Sequence, residues 1–300
     1  MGGNEKEFGR LYQGYNDTKG KDVLRFIPKH EVPAHKPVTY PRFTAAYRPE
    51  KADPHRIWIT VGGDKLTYDG ETATYDAGLT TIKTHLNSVV STLGAKYCTA
   101  KFSNMYPETG LSDPQFVCFH ILLIPENIQK QYKFGELVSE DGYVYTQIEK
   151  AWYGLKEAGF LSNQTIIKLL KKNGYHQAKH TQGLFKDETR DISFTLVVDD
   201  LGIKLTNKAN VDHLIASLEE VYTMALDMDG KKYCGLDLAW DYEEQTVILS
   251  MGVYVIEALA ELKHISPKQH FYGPSKMERP DYGAKIQYAK EDTPNPWARH

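Results

Sequence analysis

The sequence lacks features that would assign it to a membrane or secretory class. It has no apolar run approaching the roughly 18–20 residues that a membrane span needs, and its polar, acidic start is neither a secretory signal nor an Arg-rich transit peptide. Its three cysteines lie far apart without a Cys-x-x-Cys pair, so no disulfide framework is expected. We therefore expect a protein of the cytosol or nucleus that is not secreted and contacts no membrane.

The chain also lacks a large excess of charge of either sign. Its 36 Lys and Arg residues against 39 Asp and Glu residues give a net charge of −3, which does not indicate a polycationic nucleic-acid binder. The first sixty residues nevertheless combine frequent prolines with basic and aromatic side chains, which predicts short strands and turns in place of a long helix. This composition is typical either of a nucleic-acid-binding surface or of a solvated, irregular extension.

Alternation and helical spacing of apolar residues predict a mixed fold. The predicted elements are a hairpin over 56–68 that turns at Gly62, a helix over 79–94, a strand over 96–102, a helix over 155–173, a hairpin over 192–206, a helix over 210–224, a second hairpin over 233–250 and a helix over 253–262. Helices that alternate with antiparallel strand pairs indicate an α+β layer, a sheet with two helices on one face. This is the layout of a split βαβ or ferredoxin-like sheet, which many unrelated functions use.

Two adjacent carboxylates, Asp199 and Asp200, lie at the tip of the predicted hairpin 192–206. Their mutual repulsion must be relieved by a cation, and the apolar run that precedes them predicts partial burial, which raises that cost. Mg²⁺ is the usual partner, and two-metal phosphoryl transfer needs such acidic ligands. An Asp-Asp turn exposed to water is common, so the pair alone leaves both interpretations open.

The run Phe194-Thr195-Leu196-Val197-Val198-Asp199-Asp200-Leu201-Gly202-Ile203-Lys204 resembles the catalytic hairpin of reverse transcriptases. It is especially similar to the copia-type LTR retrotransposon family. Further segments follow that family's order: residues 152–159 resemble its Tyr-Gly-Leu-x-Gln-Ala block, residues 232–238 its Tyr-x-Gly-Ile primer-grip hairpin, and residues 248–254 the Leu-Ser-Met…Tyr segment after it. Together with the lead-in over 79–100, the matches extend over nearly the whole chain.

The resemblance implies a right-hand polymerase architecture, with a palm built on the ferredoxin-like sheet and its two helices, and with fingers. It implies four segments: 1–60 as a basic, Pro-rich extension or start of the fingers; 61–150 as fingers with the first palm strand (96–102); 151–250 as palm with the catalytic hairpin (192–206) and a primer-grip-like hairpin (233–250); and 251–300 as the start of a thumb or connection and a tail.

The resemblance also implies RNA-directed DNA synthesis on an RNA/DNA primer–template from dNTPs. Two Mg²⁺ (or Mn²⁺) ions are expected on Asp199, Asp200 and a third aspartate. The residues with implied substrate-binding roles are Tyr106, Tyr153, Gly154, Glu157 and Lys204, and those of an implied primer grip are Tyr233 and Gly235. Other parts of a retrotransposon polyprotein are the implied partners, in a cytoplasmic virus-like particle or in the nucleus. No RNase H activity is expected.

Three residues depart from the family pattern. Lys101 stands where the third metal-binding aspartate is expected, Glu157 replaces a glutamine, and Val197 replaces an aromatic residue. No Asp or Glu occurs between residues 96 and 107, and Glu108 is the nearest carboxylate beyond them. An ammonium at position 101 repels Mg²⁺ and is expected to pair with Asp199 or Asp200.

The sequence therefore predicts a reverse transcriptase with impaired catalysis. One alternative is a non-catalytic, nucleic-acid-binding remnant of a retrotransposon polyprotein. Another is a ferredoxin-like binding module whose motif matches are coincidental. That last alternative fails if the strand over 96–102 lies beside the hairpin 192–206, as the polymerase arrangement requires.

Overall fold

The computed structural model describes residues 2–47 and 55–263. Its helices are α1 (Gly3–Leu11), α2 (Leu79–Val90), α3 (Glu126–Gln131), α4 (Ala158–Lys172), α5 (Lys208–Glu219) and α6 (Gly252–Glu261). Its strands are β1 (Gly14–Tyr15), β2 (Thr18–Lys19), β3 (Leu24–Ile27), β4 (Val38–Thr39), β5 (Pro41–Tyr47), β6 (His55–Val61), β7 (Lys96–Ser103), β8 (Gly110–His120), β9 (Tyr143–Lys150), β10 (Tyr175–Gln177), β11 (Leu184–Asp187), β12 (Ile192–Val197), β13 (Asp200–Leu205), β14 (Thr223–Asp227), β15 (Lys232–Tyr233), β16 (Leu236–Asp241) and β17 (Thr246–Ser250).

The fold is a mixture of helices and mainly antiparallel sheets, in agreement with the predicted α+β class. The largest sheet has six strands in the order β10-β11-β12-β13-β7-β14. Separate sheets are formed by β3-β9-β8-β4, by β15-β16-β17 and by the hairpins β5-β6 and β1-β2. The chain divides into two compact units, Met1–Gly252 and Val253–His300, and α6 is the helix described in the second. No helix in the described part of the chain is both long and apolar enough to cross a membrane.

Alternation along β7 places successive side chains on opposite faces of the six-stranded sheet. Cys98, Ala100 and Phe102 point into an apolar core that also contains side chains of α4 and α5. Tyr97 points to the other face, where it packs against α2 and against Tyr233 of β15. Two helices therefore cover one face, as predicted, whereas α2 and the β15–β17 sheet lie on the other.

The strand predicted over 96–102 pairs antiparallel with β13, the second strand of the predicted hairpin 192–206. This is the arrangement that the polymerase resemblance requires, and the coincidental-match alternative fails by its own criterion. The second hairpin (233–250) and the helix over 253–262 are also confirmed, as β15–β17 and α6.

The hairpin predicted over 56–68 is wrong. The strand β6 pairs with the preceding strand β5, and Gly62 leads into a short 3-10 turn, Gly63–Lys65. The backbone N–H at the end of β6 is not available for the predicted hairpin, because the Val61 N–H donates to the Tyr153 carbonyl at 2.8 Å. A side chain at Gly63 would also lie 2.1 Å from the Gly154 carbonyl oxygen, so these two segments touch through backbone.

Two predicted helices extend too far. The helix predicted over 79–94 ends at Val90, and that over 210–224 spans Lys208–Glu219, where the Asn207 side chain caps it by accepting from the Ala209 N–H at 2.9 Å. The chain after it becomes the edge strand β14, which pairs with β7. Val221, predicted on the inner face of that helix, is 42% exposed.

Candidate active site

The hairpin β12–β13 turns through only two residues, Val198 and Asp199, between the paired positions Val197 and Asp200. Val198 has a φ of +52°, which a β-branched side chain rarely adopts, and its N–H donates to Asp76 Oδ1 at 2.9 Å. The Asp199 carbonyl accepts from the Phe102 N–H at 2.9 Å, which ties the tip to β7. The tip is thus held from two sides in a strained conformation.

Cross-strand register brings the third member of the site to the same place. Lys101 of β7 lies directly opposite Asp200 of β13 on the sheet face that carries Tyr97. Its Nζ contacts Asp199 Oδ2 at 2.8 Å and Asp200 Oδ1 at 2.9 Å. The side chains of Lys101, Asp199 and Asp200 are 55%, 35% and 28% exposed, so this bridged cluster opens to solvent.

The electrostatics of the cluster keep Lys101 charged. Partial burial on its own lowers the pKa of Lys101, but the hydrogen bonds and charges of Asp199 and Asp200 outweigh it, and the net pKa is raised. The expected pairing of Lys101 with Asp199 or Asp200 is therefore confirmed, with both carboxylates engaged by one ammonium.

The donor set does not fit the two divalent ions that the resemblance implies. Such a site needs several carboxylates, and here the position opposite Asp200 carries a positive charge. Among the residues that the structure describes, no three His, Cys, Asp or Glu side chains are grouped so as to hold a metal ion. Glu108, the nearest carboxylate along the chain, is engaged elsewhere, with its Oε1 2.5 Å from Lys21 Nζ.

Two of the predicted substrate-binding residues lie beside the cluster. The rings of Tyr106 and Tyr153 meet edge to face with their centroids 4.6 Å apart. Burial is the main cause of a raised pKa for both phenols, and the nearby charge of Asp199 raises it further. Both hydroxyls are therefore protonated at neutral pH and available as hydrogen-bond donors next to the hairpin tip.

The segment that carries Tyr153 is fixed to β6 by backbone contacts. Trp152 is fully buried and its Nε1–H donates to the Ile59 carbonyl at 2.8 Å. Gly154 has a φ of +101°, and a side chain there would lie 2.1 Å from the Val61 carbonyl oxygen, so only glycine fits. Glu157 is buried at the start of α4. The Trp-Tyr-Gly-Leu sequence therefore holds the backbone of Tyr153 against β6.

The remaining predicted residues lie further along the same sheet face. The Tyr233 hydroxyl forms a hydrogen bond with Thr195 Oγ1 beneath the hairpin, at 2.8 Å, and Gly202 leaves room for the Tyr233 ring. Gly235 has a φ of +80° and, with Cys234, turns β15 into β16. Lys204 is not at the tip: its Nζ donates to the Ser88 carbonyl at 3.0 Å and to Thr92 Oγ1 at 2.9 Å, at the C-terminal end of α2.

Sequence reasoning missed Asp76. This residue lies in an irregular segment with no motif around it, and only the folded chain brings its carboxylate to the Val198 N–H. No local pattern in the sequence marks it.

Comparison with known proteins agrees with the resemblance. Residues 126–265, slightly less than half of the chain, match the family described as "Reverse transcriptase (RNA-dependent DNA polymerase)". The match includes the hairpin β12–β13 and the β15–β17 sheet, and it excludes β7 with Lys101. The resemblance to reverse transcriptases is therefore confirmed over this segment.

Among solved structures, the chain is similar to a foamy viral protease–reverse transcriptase in complex with double-stranded DNA. The sequences are 12% identical, the TM-score is 0.39, and the alignment covers 82% of this chain and 34% of that chain. This chain thus spans about a third of the length of that protein. No curated protein matches it.

Proposed function

We propose that this chain is the fingers-and-palm part of a copia-type reverse transcriptase in which Lys101 has taken the place of the metal ions. The bridge from Lys101 Nζ to both Asp199 and Asp200, at 2.8 and 2.9 Å, carries this proposal. On this assignment the six-stranded sheet with α4 and α5 is the palm, the β3-β9-β8-β4 sheet and the β5–β6 hairpin belong to the fingers, and the β15–β16 turn is the primer grip.

The charge at position 101 is the reason to expect impaired RNA-directed DNA synthesis. Replacing a bridging carboxylate by an ammonium changes the local charge by two units and adds repulsion for any divalent cation. The carboxylates that remain are already satisfied by that ammonium. Glu108 is paired with Lys21, and Asp76 accepts from the tip backbone, so neither supplies the missing ligand.

What the chain retains supports binding of a primer–template. Tyr106 and Tyr153 lie near enough to the hairpin tip to feel the charge of Asp199, and their protonated hydroxyls are suited to donate to phosphate or sugar oxygens. The β5–β6 hairpin adds a basic and aromatic surface, where the Arg56 guanidinium lies 4.7 Å from the centre of the Trp58 ring and that of Arg42 lies 5.4 Å from the Tyr40 ring. The alternative of a non-catalytic, nucleic-acid-binding remnant rests on the same observations and differs only in residual synthesis.

Primer extension on an RNA template tests the proposal. The wild-type chain, Lys101→Asp and the control Lys83→Asp, which makes the same charge change on the exposed face of α2, are assayed with Mg²⁺ and separately with Mn²⁺. We expect extension only by Lys101→Asp, and its loss in Lys101→Asp combined with Asp199→Asn.

Primer–template affinity is measured in parallel by fluorescence anisotropy on all variants. Extension by the wild-type chain at a rate similar to that of Lys101→Asp would contradict the block by Lys101. Absence of any primer–template binding would contradict the family function as a whole. Binding without extension in every variant identifies the non-catalytic remnant.

A further inference from the structure

A serine hydroxyl lines a small pocket at the end of the β12–β13 hairpin that lies away from its tip. Ser193 of β12 is paired with Lys204 of β13 on one side and with Lys186 of β11 on the other. Residues directly opposite each other in a sheet point to the same face, so the Ser193 side chain lies between two lysines. The pocket, which we call the Ser193 pocket, encloses about 220 Å³. Its lining carries both signs of charge and includes Lys186, Asp187, Arg190, Asp191, Ser193 and Lys204.

A buried imidazole lies behind this hydroxyl. His85 of α2 is 5% exposed, and its Nε2 lies 3.0 Å from Ser193 Oγ, which is hydrogen-bond distance. Burial, followed by the nearby charge of Lys204, lowers the pKa of His85 to about 4. The imidazole is therefore neutral at neutral pH, and in the tautomer with its hydrogen on Nδ1 the free Nε2 accepts the proton of the hydroxyl.

The second ring nitrogen of His85 limits how strong this base is. Among the residues that the structure describes, Nδ1 is buried without a hydrogen-bond partner, so no carboxylate orients the ring from behind. The ring is held by packing instead, with its centre 6.1 Å from that of Tyr97. The pair thus lacks the third member of a Ser-His-Asp triad. A base of low pKa without that carboxylate is weak, which confines the reaction to esters with a good leaving group.

Lys204 is placed to stabilise a negative charge that develops beside Ser193. Its Nζ donates to the Ser88 carbonyl at 3.0 Å and to Thr92 Oγ1 at 2.9 Å. Both of these acceptors are uncharged, and an ammonium has a third N–H to donate. A cation that is fixed before the charge develops stabilises an oxyanion in the same way as preorganised hydrogen-bond donors.

We propose that Ser193 is a nucleophile that takes the acyl group of small, activated carboxylic esters, with His85 as its base and Lys204 as the cation for the oxyanion. In this step the Ser193 oxygen forms a bond with the carbonyl carbon, and its proton passes to His85 Nε2. The bond from that carbon to the leaving oxygen then breaks, the leaving group takes the electron pair, and the proton on His85 returns to it. A pocket of about 220 Å³ is below the roughly 300–1,000 Å³ of typical small-molecule sites, so it admits short acyl groups and excludes long chains.

Labelling of the wild-type chain with a fluorophosphonate tests this site without relying on a variant. The phosphorus of the reagent forms a bond with the oxygen of an activated serine, fluoride leaves with the electrons of the P–F bond, and the serine proton passes to the base. Mass spectrometry of the digested chain is expected to place the label on Ser193. Absence of any labelled serine, or a label confined to other serines, would overturn the proposal.

Release of p-nitrophenolate from p-nitrophenyl acetate measures the acyl transfer. Ser193→Ala is expected to abolish the initial burst, whereas Ser250→Ala, at an exposed position of β17, keeps it. We expect His85→Gln and Lys204→Gln each to slow the burst by about 100-fold, the lower end of the contributions of a general base and of an oxyanion donor. p-Nitrophenyl octanoate, whose chain is too long for the pocket, is expected to give no burst. A burst that persists in Ser193→Ala would contradict the assignment of the nucleophile.

The tautomer of His85 provides a readout that a merely structural hydrogen bond does not share. A base for Ser193 carries its hydrogen on Nδ1, whereas an imidazole that only supports the strand carries it on Nε2 and donates to the Ser193 oxygen. Nitrogen-15 NMR of the imidazole distinguishes the two forms, with the spectrum of His85→Gln for assignment. We expect the hydrogen on Nδ1, and a hydrogen on Nε2 would overturn the role of His85 as the base.

Parallel measurements separate this proposal from the proposed function, which it goes beyond because the pocket involves neither Lys101 nor the hairpin tip. Ser193→Ala is expected to bind primer–template with unchanged affinity, and Lys101→Asp is expected to be labelled as readily as the wild-type chain. A label on Ser193 in a chain that fails the primer–template assays supports the pocket and contradicts only the polymerase assignment. Normal primer–template binding without a labelled Ser193 contradicts only the pocket.

Discussion

Two clusters of carboxylate and cation lie on the six-stranded sheet, one at the tip of the β12–β13 hairpin and the other in the turn after β11. In the turn, Asp187 is 2% exposed at its side chain and receives the Arg190 guanidinium at 2.6 Å. Its other oxygen accepts from the Thr189 N–H and Oγ1–H, both at 2.8 Å, and from the Arg190 N–H at 2.9 Å. At the tip, Asp199 and Asp200 are 35% and 28% exposed and share the single ammonium of Lys101.

The difference separates a buried ion pair, satisfied within one turn, from a partly exposed one that spans two strands. Burial on its own raises the pKa of Asp187, but the hydrogen bonds from Thr189 and Arg190 outweigh it and bring the pKa to about 2. All those donors come from the same turn. The ion pairs at the tip instead connect β7 to β13, about a hundred residues away in sequence, and their carboxylates remain partly exposed to water. The tip also contains the strained Val198. The tip cluster is therefore the place where the proposed replacement of a cation by Lys101 is tested.

The comparison is sharpened most by restoring the acidic residue at position 101. In Lys101→Asp, three carboxylates meet at the tip. We expect the Mn²⁺ affinity to rise by roughly 100-fold or more, because the net charge beside the ion becomes more negative by two units. Electron paramagnetic resonance of free Mn²⁺ measures this without any need for catalysis. Glu188→Asp, beside the satisfied Asp187 turn, is the control and should not change Mn²⁺ binding. Equal affinities in Lys101→Asp and wild type would remove the link between Lys101 and a cation site.

The Asp187 turn is expected to show the largest effect on stability. Asp187→Asn places an amide donor against the Arg190 guanidinium in a buried position, and we expect the free energy of unfolding to fall by about 2–3 kcal/mol. Urea denaturation measures it, with Asp212→Asn, which removes an exposed i,i+4 pair to Lys208, as a control expected to change stability by less than about 0.5 kcal/mol.

The pH dependence of stability tests whether the charge of the Asp187 carboxylate stabilises the turn. The pKa of Asp187 is lowered in the folded protein, so its stabilising effect is present above the ordinary value of 3.8 and is lost as the pH falls toward about 2. The difference between wild type and Asp187→Asn should therefore shrink over that window. A difference that stays constant down to pH 2 would show that the carboxylate charge is not what stabilises the turn.

Sequence patterns predicted the sheet that carries the site because its strands alternate cleanly. Phe194 and Leu196 on β12 and Leu201 and Ile203 on β13 all face the helix-covered core, which leaves the register of the hairpin little freedom. The pairing of Lys101 with the tip carboxylates followed from the family resemblance and the charge at one position, not from any local pattern.

Other features depended on contacts that no sequence window contains. The strand β14 lies at the edge of the sheet and carries exposed residues, so its pattern did not distinguish it from the end of a helix. The hairpin predicted at Gly62 failed because the partner of β6 precedes it, beyond a proline-rich stretch that hides the alternation. Asp76 reaches Val198 across 122 positions of the chain.

A smaller effect is expected when the ammonium at the tip is removed without a replacement. Lys101→Met leaves Asp199 and Asp200 to repel each other, but both are partly solvated, so we expect a loss of about 1 kcal/mol that shrinks at high salt. Urea denaturation at two ionic strengths measures it, and Lys172→Met, which removes an exposed pair to Glu220, serves as control. A loss as large as that of Asp187→Asn would mean that the tip cluster is a structural element like the Asp187 turn.

The smallest expected effect concerns the strain that distinguishes the tip from the Asp187 turn. Val198 has a φ of +52°, whereas no residue from Asp187 to Arg190 has a positive φ. Val198→Gly relieves about 1–2 kcal/mol of backbone strain and costs part of that in the entropy of the unfolded chain, so we expect a net gain of about 0.5–1 kcal/mol. Val197→Gly, one position earlier in the regular strand β12, is expected to lose stability instead, because it removes a half-buried side chain that packs against the apolar cluster containing Tyr97 and Tyr233. Urea denaturation measures the change in the free energy of unfolding. A gain in Val198→Gly and a loss in Val197→Gly would show that the strain lies in the turn itself. A loss in both would mean that the Val198 side chain contributes more at the tip than its backbone costs, and the contrast with the Asp187 turn would then rest on charge alone.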